Sequence, residues 1–463
     1  MKIVARFGKP VVSAVEPSRI DLPNRFTEEK HKMFRKVFAY LLILLANAAC
    51  NSSTPATEVT FRVFGDPAER DAYFALVEAF HESHPNIHIE VSHIPADTEY
   101  RSRLVTDFAA GTAPDVTLMN YRRIPSFAAQ DLLEPIGPYL DDSDLISPED
   151  FYPTALEAFN WRGTLLCLPQ NISSLVVYYN TDLFDAAGLA YPPDEWSWDE
   201  FVETAVALTQ DHDGDGQIDQ YGLGIEPSLY RLAPFIWQNN APLVDNEASP
   251  SRLTLTRPPT LEALQWFVDL RQVHGVAPGR EEEASQDSES RFIAGTTAMY
   301  LNSRRGTPTY REIDARQIDA FTWDVAPLPS GKSAAGILHS DAYCMSAATE
   351  NKDAAWTFIE FANSVEGQTL IAGSGRTVPS LISVAQSDVF LEPNEPPSRS
   401  NVFIDNTDSF RRVPLISTWQ EIERTAGEEI ERAFYGDITA QEAATLSVLR
   451  TEEYFLLGQF ANE

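Results

Sequence analysis

Residues 211–222, DHDGDGQIDQYG, carry the densest chemistry-bearing spacing in the chain. Asp211, Asp213, Asp215 and Asp219 fall at positions one, three, five and nine of a calcium-binding loop, with Gly216 sixth and Ile218 at the apolar eighth. The twelfth position, where a bidentate Glu belongs, is Gly222. The loop reads either as a structural calcium site completed from elsewhere or as a solvated acidic turn. Neither reading is catalytic, and no other cofactor is expected. Hydrolytic signatures are missing: the chain has no G-x-S-x-G and no H-E-x-x-H. No glycine-rich phosphate loop follows a strand. Paired carboxylates carry no information in a chain this acidic. His81, His84, His88 and His93 straddle a helix end and a strand, so they do not make one metal site.

The elements around these residues read as an α/β protein. Residues 58–65 alternate like a strand and end at Gly65-Asp66-Pro67. Residues 67–84 have the apolar spacing of a helix. A strand over 87–94, a helix over 98–110 and a short strand over 115–119 follow. Gly111 and Pro114 stop the second helix. This alternation predicts a lobe with a mainly parallel sheet. Sites in such sheets lie beyond the carboxyl ends of strands, which points at Asp66 and at Asn120 and Tyr121.

A second chemical feature is Cys50, which closes the block LLILLANAACNSS. Arg35 and Lys36 lead into ten uncharged residues, 37–46. That run is too short to span a bilayer, which needs roughly 20 residues. It fits the apolar part of a signal peptide. The block resembles a bacterial lipoprotein signal, although Asn47 stands where Leu is usual. The expectation is a membrane tether through lipidated Cys50, with an unlipidated signal as the alternative. Residues 1–50 then comprise an upstream extension and the signal, with Met33 as an alternative start. Residues 51–57 form a flexible tether.

The formal net charge is −33. Loss of residues 1–49, with nine Lys/Arg and four Asp/Glu, leaves about −38. Such a surface repels nucleic acid, so no nucleic-acid partner is expected. About 410 mature residues are too many for one ordinary core, and two lobes are expected. Cys167 and Cys344 each sit in an apolar stretch. An oxidising compartment would let them pair, but two buried free thiols is the favoured reading.

The middle of the chain resembles a known family. Gly163, Pro169, Tyr179, Asn180, Asp182, Phe184, Ala187, Gly188 and Leu189, then Pro192, Pro193, Trp196 or Trp198 and Glu200, follow one ordered pattern. It is that of the carbohydrate-type extracellular solute-binding proteins of ABC importers, the maltose-binding class. Residues 235–245, 290–300, 327–336 and 353–368 (FIWQNNAPLVD, SRFIAGTTAMY, PLPSGKSAAG and DAAWTFIEFANSVEGQ) resemble further segments of that family in order. Beyond about residue 380 only helical patterning is legible.

The resemblance implies a periplasmic-binding-protein-like fold of two α/β lobes with a ligand cleft and a hinge. Lobe one would hold residues 58–168 and 330–375, and lobe two residues 169–329 and 376–463. It implies an extracytoplasmic, monomeric receptor that binds carbohydrate and hands it to permease subunits without catalysis. Asp66, Asn120, Tyr121, Asn171, Trp237, Asn302 and Tyr343 stand at its cleft positions. Sugar recognition wants aromatic faces beside planar polar groups. Arg304 and Arg305 stand where the family often places a stacking Trp. With Arg122, Arg123 and Arg376 they raise a uronate ligand as a possibility, against arginines that merely offset acidic surface. Other small solutes on the same fold, or an exported glycan-active enzyme, remain the alternatives.

Overall fold

Val59, Phe61 and Val63 are fully buried while their neighbours are not, so the strand Thr57–Phe64 keeps the period of two read from its residues. A computed structural model describes residues 56–314 and 320–459. The signal segment, Cys50 and the tether up to residue 55 lie outside the described residues. Thr57–Phe64 pairs in parallel with Ile87–Ile94 on one side and Val116–Asn120 on the other. Asp341–Met345 adds to Val116–Asn120 in the antiparallel sense, and Cys167–Pro169 adds to Asp341–Met345. These five strands form the sheet of the first lobe.

Local chemistry sets the ends of the helices that cover this sheet. Asp66 caps Pro67–Ser83 by accepting from the amides of Ala68 and Glu69. Gly111, at φ 68°, closes Asp97–Ala110 in the left-handed conformation that glycine tolerates. Phe61 packs against Phe358, Tyr343 and Tyr73, with ring centroids 4.9, 5.8 and 5.9 Å away. That cluster ties Pro67–Ser83 and Lys352–Ala362 to the sheet.

The second lobe has a four-stranded sheet in the order Trp323–Ala326, Val176–Asn180, Thr297–Asn302, Tyr221–Gly224. Its central strands are buried at every position, so Val176–Tyr179 and Ala298–Leu301 are apolar without alternation. Trp198–Ala207 begins with a capping box between Ser197 and Glu200. The carboxyl-terminal helical patterning becomes two long helices, Trp419–Phe434 and Ala440–Leu457, which pack on each other and on Pro258–Gln272.

The chain passes between the sheets through residues 170–175 and 327–340. These segments pair where they cross: Ser173 bridges His339, and the Gln170 amide donates to the Asp341 carbonyl at 2.8 Å. Residue 171 also bridges Pro379, so a third segment joins the crossing.

Two expectations are corrected. Cys167 and Cys344 are not free thiols but a disulfide. They stand directly opposite each other in antiparallel strands, with Cα atoms 4.4 Å apart. Apolar flanks mark strands that share a buried sheet, so they argued for proximity rather than against pairing. Arg304 is not a cleft residue. It is fully buried, stacks on Phe390 and Phe403, and reaches Glu392 at 2.6 Å and the Gly375 carbonyl at 2.8 Å. It cross-links the strand end at Asn302 to residues 375–403, a structural use of its five donors.

The bridge closes a sequence separation of 177 residues. Thiol titration of the denatured, unreduced chain should find Cys167 and Cys344 unreactive. Reduction should lower unfolding stability by about 2–5 kcal/mol in a denaturant titration. Free thiols in the unreduced protein would contradict the pairing.

Candidate functional site

The crossing segments floor a cleft of about 760 Å³ between the lobes. Strand ends and helix starts deliver its residues. Asn120 ends a parallel strand, and the register places Asp341 directly opposite it. Asn120 Nδ2 donates to Asp341 Oδ1 at 3.1 Å, and Asn171 Nδ2 reaches Asp341 Oδ2 at 3.4 Å. Asn171 Oδ1 accepts from the Asp341 amide at 2.9 Å, which fixes its flip. Three elements thus converge on one carboxylate. Burial pushes the Asp341 carboxyl above its usual range, although both amides and Arg123 work against the rise.

Beside this group, Arg376 pairs with Asp66 and, at 2.8 Å, with Glu69 Oε2. Gly65 makes room for that carboxylate: a Cβ there would lie 2.0 Å from Glu69 Oε2. Arg376 Nη1 also donates across the cleft to the Arg305 carbonyl at 3.3 Å. From the second lobe, Glu289 Oε1 accepts from Tyr310 at 2.7 Å and from Asn302 Nδ2 at 3.1 Å, while Oε2 stands 3.6 Å from Arg305.

Seven acidic side chains and five arginines line the cleft, and every one of those arginines is in an ion pair. Arg122 holds Glu423 at 2.7 Å and Arg123 holds Asp97 at 3.2 Å. Arg231 holds Glu226 at 3.1 Å. Aromatic surface is scarce. Tyr230 has the Arg122 guanidinium 4.0 Å from its ring centre and the His339 ring stacked at 4.9 Å. His339 Nε2 and Arg231 Nε are inaccessible and have no hydrogen-bond partner among the described residues. Burial, with the fields of Arg231 and Arg122, holds His339 far below its usual pKa, so it is neutral and can accept.

Asp66, Asn120, Asn171, Asn302 and Arg305 therefore meet in the cleft, as do Arg122, Arg123 and Arg376. The other three expected residues lie elsewhere. Trp237 is 2% exposed within the second lobe's core, on a helix buried at nearly every position. Tyr121 is buried, and its hydroxyl accepts from the Val413 amide at 3.2 Å. Tyr343 points into the first lobe's core toward Phe61. Residue type and family position suggested a platform, but strand and helix phase turned these rings inward. Glu69, Tyr230, Arg231, Glu289, His339 and Asp341 were not singled out. Glu69 alone had a local signal, one helical turn after Asp66.

The acidic loop is remote from the cleft lining. Asp211, Asp213 and Asp215 bring carboxylate oxygens within 4.8 Å of one another, so those three could share a cation. Asp219 is turned to cap the His212 amide at 2.8 Å. The twelfth position cannot take a ligating side chain: a Cβ on Gly222 would lie 1.9 Å from the Ala205 carbonyl oxygen. Glycine there lets Trp198–Ala207 sit against the sheet.

Two α/β lobes, a polar cleft between them and strands that cross at its floor define a two-lobed binding protein. The chain belongs to the bacterial extracellular solute-binding protein family, whose pattern it matches over residues 66–369. A binding protein of Brucella abortus is 25% identical over 419 residues, covering 87% of this chain and 95% of that one. The mannitol-binding protein of Pseudomonas aeruginosa is 25% identical over 330 residues, covering 68% and 72%. Among solved structures, an ABC substrate-binding protein of Listeria monocytogenes in complex with cycloalternan superposes with a TM-score of 0.77. It shares 23% identity and covers 86% of this chain and 98% of its own. The sugar-binding protein MalE of Xanthomonas citri gives 0.75 at 24% identity, covering 87% and 98%. These two likenesses concern the fold.

Burial, opposed by Arg376, pushes the Glu69 carboxyl from its ordinary 4.5 up to about 7. The folded state then binds this proton more tightly than the unfolded state. Glu69 favours folding at low pH, and that contribution fades as pH rises through the window from 4.5 to about 7. Glu69→Gln mimics the protonated form. Its stability relative to the parent protein should climb with pH across that window in urea titrations. A difference that stays flat or falls would contradict the assignment.

Proposed function

We propose that this protein captures a sugar or oligosaccharide outside the cytoplasmic membrane and delivers it to the permease of an ABC importer. The observation that carries the reading is the cleft itself. Its floor is a set of amides and a carboxylate with hydrogen-bonding capacity to spare, and its walls come from two lobes joined by crossing segments. A polyhydroxyl solute matches such a surface, since each hydroxyl both donates and accepts. Relatives that bind mannitol, maltotriose and arabinooligosaccharide support the class of ligand. The same relatives are binding proteins, which supports a role without catalysis.

The cleft charges weigh against a uronate. A ligand carboxylate needs a free guanidinium, and Arg122, Arg123, Arg231, Arg305 and Arg376 are each engaged by a protein carboxylate. A neutral ligand is the better fit. A cation at the acidic loop has no bearing on this chemistry.

We infer a monomer anchored through Cys50 at the outer face of the cell membrane. The signal-like run at residues 37–46 and the family's extracellular character support this. Among the described residues no helix is long and apolar enough to cross a membrane. Mass spectrometry of the mature amino terminus checks the tether: acylated Cys50 is expected, and an intact Met1 terminus would rule it out.

A thermal-shift screen over neutral mono- and oligosaccharides and polyols, followed by calorimetry of the hits, tests the main reading. Ligand at a hundredfold excess over Kd should stabilise the protein by about 2.7 kcal/mol. No shift with any carbohydrate, beside a shift with an amine or metal, would overturn the sugar assignment.

A further inference from the structure

We infer that Asp341 is the specificity-determining residue of the cleft, accepting a pair of ligand hydroxyls and excluding ligands that carry a carboxylate. The inference rests on the sugar reading and extends it to the ligand's charge. Asp341 is set apart from its neighbours by what holds it. Asp66, Glu69, Asp97, Glu226 and Glu289 are each paired with an arginine. Asp341 makes no ion pair among the described residues. Its partners are the neutral amides of Asn120 and Asn171, one to each oxygen.

A carboxylate has about four lone-pair positions, and these two donors occupy half of them. The side chain lines the cleft, so the remaining acceptor sites face the space where a ligand sits. Two adjacent hydroxyls on a sugar ring present donors at a spacing that both oxygens of one carboxylate can accept. Nothing else on the floor competes for that role. Asn120 Oδ1 is already used by the amide and Nε of Arg122, each at 3.2 Å, and Asn171 Oδ1 by the Asp341 amide.

The same geometry penalises an anion. A ligand carboxylate brought to this floor meets the Asp341 carboxylate, which makes no ion pair among the described residues and is offset only by the field of Arg123. Arg122, Arg123, Arg231 and Arg376 are each held by a protein carboxylate, so an anionic ligand would compete with those pairs, and Arg305, half exposed and 3.6 Å from Glu289, is the loosest of the five. Repulsion of this kind is an established route to specificity. Asp287, the other cleft carboxylate without an ion pair among the described residues, caps the Ser290 amide at 2.7 Å and adds negative field from the opposite wall.

The test is calorimetric titration of the full mature protein and of Asp341→Asn. The probes are a neutral oligosaccharide that binds in the screen and its counterpart with one sugar oxidised to the uronate. The parent protein should bind the neutral form at least about tenfold more tightly. Asp341→Asn should lose about tenfold or more in affinity for the neutral form and shrink the gap between the two. Asn can still accept from Asn120, but its Nδ2 would face the Asn171 Nδ2 donor, so the ligand-free unfolding midpoint is measured alongside and affinities are compared only for folded variant.

Equal or tighter binding of the uronate by the parent protein would overturn the inference without need of any variant. So would a variant that folds and keeps both affinities. If no sugar of either charge binds the parent protein, the sugar reading itself fails and this inference falls with it.

Discussion

Backbone pairing at the crossing between the lobes is the constraint on which the rest of this structure depends. The segments 170–175 and 327–340 each leave one sheet and enter the other, and they must satisfy their amides on the way. They do so on each other, through Ser173 with His339 and Gln170 with Asp341. That pairing sets the register of Asn171 against Asp341, and the antiparallel strands behind it set Asp341 against Asn120. The Cys167–Cys344 bridge stands in the same ladder, where it secures a strand only three residues long. A covalent link at an otherwise weak edge holds the cleft floor to the first lobe. Few strands crossing between two lobes is also the arrangement that permits hinge motion.

Charge organisation follows from that floor. The chain is strongly acidic, yet arginines gather at the cleft, each held by a carboxylate. Their role is to fix walls and to place carbonyls and carboxylates, rather than to wait for an anion. Arg376 shows this: it binds Asp66 and Glu69 on one lobe and the Arg305 carbonyl from the other. Arg304, one residue earlier in the chain than Arg305, is wholly committed to the core. Neighbouring arginines within the one turn Arg304–Gly306 thus serve opposite ends, one in the core and one at the cleft.

Much of the fold was legible from the residues. The alternation of residues 58–65 and the Gly111 stop each carry their own signal, because burial and turn chemistry act locally. Asp66 and Asn120 were also legible, since strand ends have a known relation to sites in α/β sheets. Asp341 was not. It opens a strand that joins the sheet after more than two hundred residues, and only the register reveals its partner. The rings failed for a related reason. Trp237, Tyr121 and Tyr343 have the right chemistry for stacking on sugar, but whether an aromatic faces the cleft or the core depends on helix and strand phase within the tertiary packing. The disulfide was misjudged because apolar flanks were weighed as burial and not as adjacency.

Capture of a sugar in this cleft requires the two lobes to close on it, and the distance between them tests that most directly. Val105 on the helix Asp97–Ala110 and Val206 on the helix Trp198–Ala207 are 60% and 46% exposed, so both accept spin labels without disturbing either core. Pulsed electron resonance should show a broad label-to-label distance that shortens and narrows when a binding sugar is added. A distance unchanged by saturating ligand would contradict capture by closure of this cleft.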